Sequence, residues 1–430
     1  MTWATRHTLG LMDRPELARH WLLDSTITFL NHGTFGACPR PVLDYQQQLR
    51  DEMEREPLIF LDDQLDARLD AARQPLAALV GARPQDIGFA PNATTGVNAV
   101  LRSLQFEPGD EILTTDHEYN ACVNTARHVA RAAGARVVVA SIPFPLTSAD
   151  EVVDAIVAAA TPRTKLAMFS HVTSPTALVL PVERIAAALH ERGIQSLVDG
   201  AHAPGMVPIS LDELGRQGVA YYTGNTHKWL CGPKGGGFLW VRADVQLGIH
   251  PPVLSHALNS SRTDRTYFNE AFDWPGTADI TPYLTVPAAL EFLAGLLPGG
   301  WPALMDANHD LAIRARDLLL DDLGTKPLAP TDMIGSMAAV ELPPDILPPA
   351  PELPPNAPVG STLPLDPLHA LLLEQQRIEV PVYPWPPVPT HYRTTLRLLR
   401  VSAQAYNGLA DYARLAQALR ELVATPVGGH

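Results

Sequence analysis

Between residues 87 and 241, short apolar runs alternate with helix-spaced segments, and that rhythm constrains the fold more than any other feature of the chain. The runs are 87–90, 111–114, 165–170, 195–199 and 238–241, with amphipathic segments at 149–160 and 182–192 among them. Strands alternating with helices imply an α/β architecture, a mostly parallel sheet sandwiched by helices. Ahead of it, residues 41–80 carry apolar residues at helical spacing and read as two helices joined near Pro57. At 430 residues the chain exceeds one ordinary core and suits two domains. We expect an N-terminal segment at 1–25, a large domain at 26–290, and a smaller α+β C-terminal domain at 291–430. Proline concentrates at 342–389, which predicts an extended, partly polyproline insertion in the small domain, interrupted by one helix at Pro367–Gln376.

Open α/β sheets bind ligands beyond the carboxyl ends of their strands. The run 195–199 ends on a carboxylate, in Val198-Asp199-Gly200-Ala201-His202-Ala203-Pro204-Gly205. Downstream comes Lys228, in Thr223-Gly224-Asn225-Thr226-His227-Lys228-Trp229-Leu230-Cys231-Gly232-Pro233-Lys234-Gly235-Gly236-Gly237. A lysine between a polar turn and an apolar pair suits a nucleophilic amine if burial or nearby cations lower its pKa from about 10.4. His227 and Lys234 are the local candidates for that effect. A strand-end carboxylate and a downstream lysine are together what pyridoxal phosphate chemistry requires. The lysine binds the aldehyde, and the carboxylate keeps the pyridine nitrogen protonated so that the ring draws electrons from the substrate's α-carbon. Each half also has a plainer reading: Asp199 as a helix cap, and the glycine loop as a turn or a degenerate phosphate loop, though it lacks the P-loop spacing.

The paired motifs resemble the class V aminotransferase family of fold-type I pyridoxal phosphate enzymes, most closely its isopenicillin N epimerase-like branch. The resemblance covers about residues 26–290 closely and the C-terminal domain loosely. It implies that Lys228 carries pyridoxal 5'-phosphate and acts as acid and base, that Asp199 holds the pyridinium, and that His202 contacts the cofactor. Thr94 and Thr95, in a strand–turn–helix that already suits a phosphate, match the family's phosphate cradle, and Asn225 and His227 match positions that complete it. In Thr115-Asp116-His117-Glu118-Tyr119-Asn120-Ala121 the motif places Tyr119 over the cofactor ring, with His117 as the alternative on a register slip. Ser174 stands where relatives set a residue on the cofactor's phenolic oxygen. The turn Asn31-His32-Gly33-Thr34-Phe35-Gly36 falls at the substrate end. Arg400 matches an arginine that binds the substrate carboxylate bidentately, while Arg397 points to the other strand face. Thr277, in Trp274-Pro275-Gly276-Thr277, matches a turn that reaches the neighbouring subunit's phosphate, implying a homodimer with shared sites.

Net charge of −14 and a pI near 5.5 argue against nucleic-acid or anionic-membrane partners. Three scattered cysteines indicate neither a disulfide framework nor a metal site, and fit a reducing cytoplasm. No signal peptide or membrane span is expected. The implied reaction begins with proton loss from the α-carbon of an amino acid or a modified amino acid. Epimerisation and C–S lyase chemistry are favoured, and transamination is the alternative. Because no cysteine follows Cys231, a persulfide-type desulfurase is disfavoured. In a different class stands a non-enzymatic interaction protein that presents the proline-rich loop.

Overall fold

The structure, a computed structural model, describes residues 15–346, 348–349, 351–352, 364–386 and 396–424. After a 3-10 turn at Pro15–His20 comes the short strand β1 (Thr28–Phe29). The large sheet follows: β2 (Ile87–Ala90), β3 (Glu111–Thr115), β4 (Arg136–Ala140), β5 (Thr164–Ser170), β6 (Gln195–Asp199), β7 (Val219–Asn225) and β8 (Gly237–Val241). Their order is β2-β8-β7-β6-β5-β3-β4, and only β8 runs against its neighbours. The expected mostly parallel sheet is therefore present.

Both faces of this sheet are covered, which is why its inner strands carry apolar side chains at successive positions. Met168, Leu197 and Tyr221 face a core with Val97, Val100 and Ala126. Their chain neighbours Phe169, Val198 and Tyr222 face the opposite core, with Leu69, Leu76, Ile185 and Leu189. The two-residue period of a strand sorts each pair between the layers. The edge strand β4, the central strand β7 and the helix Asn120–Ala133 are not among the segments expected from the sequence.

The smaller unit contains β9 (Met337–Glu341), β10 (Ile378–Glu379), β11 (Val382–Trp385) and β12 (Leu396–Ser402). β12 lies between β11 and β9, antiparallel to both, and its Leu399 and Val401 pack with Ala315, Leu319, Tyr412 and Leu419 of the long helices Gly300–Leu323 and Leu409–Ala424. Two expectations change here. β1 pairs in parallel with β10, and Leu30 joins the small unit's core, so residues 28–30 belong there rather than to a large domain beginning at 26. Within the stretch read as an extended loop, the helix Pro367–Gln376 is as expected, but β10 and β11 are strands. Pro384 is tolerated because β11 is an edge strand and needs no donor on its open side.

Candidate active site

The carboxyl ends of β5, β6 and β7 and the start of the helix Ala93–Ser103 converge beside β12. Asp199 closes β6, is 3% exposed, and faces no cation at hydrogen-bonding distance among the described residues. Its Oδ1 accepts from the Ala201 amide at 3.0 Å and its Oδ2 from the Cys122 thiol at 3.2 Å. Burial raises its pKa, against these two donors and the Lys228 charge.

Lys228 follows β7. Burial, seconded by the Arg400 charge, lowers its amine to about 7. The cation responsible is thus Arg400 rather than the local candidates: Lys234 donates to the Gly36 carbonyl at 2.9 Å, and His227 is itself held down to about 4, chiefly by burial. The Lys228 Nζ lies 3.0 Å from His202 Nε2. Burial and the neighbouring charges keep His202 neutral, and its buried Nδ1 has no partner among the described residues.

The helix Ala93–Ser103 begins at Asn92, whose side chain accepts from the Thr95 amide at 2.9 Å. Asn225 Oδ1 accepts from the Ala93 amide at 2.8 Å and so ties this helix start to the end of β7. Gly96 allows the close approach, since a Cβ there would lie 2.3 Å from Thr223 Oγ1. Thr94, Thr95 and His227 remain partly open at this end. Tyr119 is 50% exposed; partial burial raises its hydroxyl pKa, with Cys122 and Asp199 adding to the effect. His117 is fully buried beneath, against Phe144 and Trp385. Of the two rings, Tyr119 is the one open to the site.

Opposite, β12 delivers Arg400, fully buried with its guanidinium 5.0 Å over the Tyr383 ring. Nη1 donates to the Ser174 carbonyl at 2.7 Å and to its Oγ at 3.3 Å; Nη2 donates to Thr34 Oγ1 at 2.8 Å and Asn31 Oδ1 at 3.4 Å. Ser174 therefore stands at the Arg400 wall. Arg397 turns to the other face and pairs with the buried Asp366 at 2.7 Å.

His32 departs from its expected substrate role. It is fully buried, its Nε2 donating to the Lys228 carbonyl at 3.0 Å and its Nδ1 accepting from Tyr406 Oη at 2.7 Å. With both nitrogens engaged, it props the lysine turn from behind. Gly36, at φ +68°, permits that packing, because a Cβ would sit 2.0 Å from the His227 carbonyl oxygen. Thr277 is exposed on the loop after the helix Tyr267–Asp273. His391, in the stretch just before Arg400, lies outside the described residues.

The donor set fits pyridoxal 5'-phosphate. A neutral buried amine suits its aldehyde, the uncompensated Asp199 its ring nitrogen, the orphaned His202 nitrogen its polar edge, and the amide-rich helix start its phosphate. The class V aminotransferase model matches residues 37–321. The chain belongs to that family. Pyridoxal 5'-phosphate is its cofactor. The chain is 37% identical over 414 residues to an isopenicillin N epimerase of Amycolatopsis lactamdurans, with 93% of this chain and 96% of that protein covered. A probable chloroplastic L-cysteine desulfhydrase of Arabidopsis thaliana is 29% identical over 426 residues, covering 95% and 85%. A cysteine desulfurase from Escherichia coli shares the fold, with a TM-score of 0.71 at 21% identity over 96% of this chain and 99% of that one.

Three contributors to the site were not singled out from the sequence. Thr34 lies inside the quoted turn, and Cys122 three residues beyond Tyr119, so local scrutiny would have found both. Glu379, which accepts from Asn31, carries no local signal. Among the described residues, no helix is long and apolar enough to cross a membrane.

Proposed function

We propose that the protein is a pyridoxal phosphate-dependent epimerase of an amino acid or modified amino acid, operating through proton transfer at the α-carbon. The observation that carries this reading is the Lys228–His202 contact at 3.0 Å, in which an amine held near pKa 7 stands between Asp199 and Arg400. An amine with that pKa takes and returns a proton at neutral pH with little bias either way. When bound, the cofactor supplies an electron sink that acidifies the α-C–H bond. Asp199 presents a carboxylate to the ring nitrogen, Thr94, Thr95, Asn225 and His227 hold the phosphate, and Tyr119 covers the ring. Arg400 orients the substrate carboxylate, with Asn31 and Ser174 at its sides. Lys228 Nζ moves the α-proton, and His202 Nε2 orients that amine.

C–S lyase chemistry is the second reading, favoured by the L-cysteine desulfhydrase relatives. A persulfide route is disfavoured because no cysteine follows Cys231 in the sequence. Incubating the holoprotein with amino acids in deuterated water separates these outcomes. Epimerisation gives α-deuterated material with lost chirality, lyase action releases a thiol or sulfide with a keto acid, and aminotransfer gives a keto acid only with an acceptor. Recovery of every substrate without α-deuterium or product would sink the proposal.

We further infer that Thr277 completes the phosphate cup of a second copy, so that the active unit is a homodimer, in keeping with its exposed turn. Mixing inactive Lys228→Ala with an inactive Thr277→Ala variant should restore part of the activity; a fully active monomer would end this idea. A cytoplasmic location accords with three cysteines that are all free and buried.

A further inference from the structure

Glu379 belongs to none of the family's motifs, yet it stands at the end of a hydrogen-bond chain that terminates on Arg400. A buried guanidinium keeps one orientation only if each neighbour presents an acceptor to it. Here both Nη atoms are engaged by Ser174, Thr34 and Asn31, and the buried Nε has no partner among the described residues. Two of those neighbours have no intrinsic polarity. An asparagine amide offers an oxygen or an NH₂ group of nearly the same shape, depending on which way it is turned, and a threonine hydroxyl rotates.

Glu379 removes that freedom. A carboxylate only accepts, and the Asn31 Nδ2 donates to its Oε1 at 2.8 Å. Asn31 must then turn its Oδ1 inward, where it accepts from the Thr34 hydroxyl and from Arg400 Nη2. With its single proton committed to Asn31, Thr34 Oγ1 has lone pairs left for Arg400 Nη2 at 2.8 Å. The chain therefore runs one way, from Arg400 through Thr34 and Asn31 to Glu379. The two-residue pairing of β1 with β10 sets this geometry. Phe29 sits opposite Glu379, and the Leu30 amide donates to the Glu379 carbonyl at 2.9 Å, which brings Asn31 beside the carboxylate. The other ionisable neighbour on Oε1 is His369, whose Nε2 is 3.9 Å away.

We propose that Glu379 is a positioning residue for substrate recognition: through Asn31 and Thr34 it fixes the polarity of the hydrogen bonds that aim the Arg400 guanidinium at the substrate carboxylate. The proposal rests on the reading of Arg400 as carboxylate clamp. Its test uses the holoprotein with L-alanine and with ethylamine, the same amine without the carboxylate, following the absorbance of the bound cofactor. Alanine is small enough that no side-chain pocket enters the comparison.

Glu379→Ala should weaken L-alanine binding about tenfold, the scale of one hydrogen bond to a charged group, and leave ethylamine unchanged. Glu379→Gln can still offer an oxygen to Asn31 but no longer enforces that direction, because its amide can turn, so it should fall between wild type and Glu379→Ala. Glu379→Lys presents donors, turns the Asn31 NH₂ toward Arg400 and should be the most impaired. Equal losses for both ligands, no loss for either, or Glu379→Gln matching Glu379→Ala would each overturn the proposal. Arg400→Lys in parallel separates the two levels. If it leaves the alanine-to-ethylamine preference intact, the clamp reading itself falls. If it abolishes the preference while Glu379→Ala does not, only the positioning role falls.

Discussion

On the large-unit wall of the site, Asp199, Lys228, Asn225 and the Thr94–Thr95 turn each lie within a few residues of a strand end. On the facing wall, Arg400 meets Asn31 across a sequence separation of 369 residues, and Asn31 meets Glu379 across 348. The first wall is assembled by local chain geometry, since a parallel sheet delivers all its carboxyl ends to one edge. The second exists only because β1 docks on β10 and β12 brings Arg400 up to the Ser174 loop. A substitution on the large-unit wall should therefore act on the chemistry, and one on the small-unit wall on recognition.

The largest expected effects test the first half of that contrast. Lys228→Ala should abolish the borohydride-trappable link to the cofactor and reduce turnover by several powers of ten; a trapped adduct on Lys234 in the digested protein would displace Lys228 from its role. Asp199→Asn removes the charge proposed to hold the ring nitrogen protonated and should leave the fold intact. α-Proton exchange into deuterated water should drop by several powers of ten, and an unchanged exchange rate would remove Asp199 from the chemistry.

Effects on the second wall should be smaller and should depend on the ligand's carboxylate. Losing the bidentate partner of a buried carboxylate costs on the order of 2–5 kcal/mol. Arg400→Ala should lose roughly that in amino-acid binding, and Arg400→Lys less, since it keeps the charge without the fork. Spectral titration with amino acids and their decarboxylated amines measures both. Variants that bind amino acids as wild type does would dissolve the distinction between the walls.

One measurement links the two. The Lys228 amine is held at about 7 by burial first and Arg400 second, so its neutral, reactive fraction falls as pH drops through that value. Capture of added pyridoxal phosphate by the apoprotein should slow below about pH 7, where the amine is protonated, and reach a plateau above it. Arg400→Gln removes the cation, so the midpoint should move upward; an unmoved midpoint would show that burial alone sets it. The smallest effect is expected at Cys122. Its thiol donates to Asp199 Oδ2, so Cys122→Ala should cost about 1 kcal/mol of holoprotein stability, and Cys122→Ser, which restores a donor, less. Thermal melts of the three proteins check this, and identical losses in both variants would assign Cys122 to packing alone.

Much of the chemistry was legible in the chain because it is written at strand ends. A β6 run that stops on Asp199, and a glycine-flanked Lys228 after β7, are local patterns, and the helix start behind Thr94 and Thr95 needs only a strand, a turn and a cap. Where local reading misled, the missing information was long-range. His32 sits in a turn that looks open to a ligand, but Tyr406 and the Lys228 carbonyl claim its ring. Lys234 and His227 are near Lys228 in sequence, yet the cation that acts on its amine arrives from β12.

By itself the sequence determined the parallel sheet, the family and the cofactor, because periodicity and motif spacing act over a few residues to a few tens. The tertiary structure alone decided which face Asn31 turns to Arg400, that Glu379 takes part, that Ser174 belongs to the Arg400 wall, and how far the Lys228 amine is shifted. Those outcomes depend on desolvation and on hydrogen-bond direction between groups hundreds of residues apart. Neither quantity has a value until packing has brought the groups together.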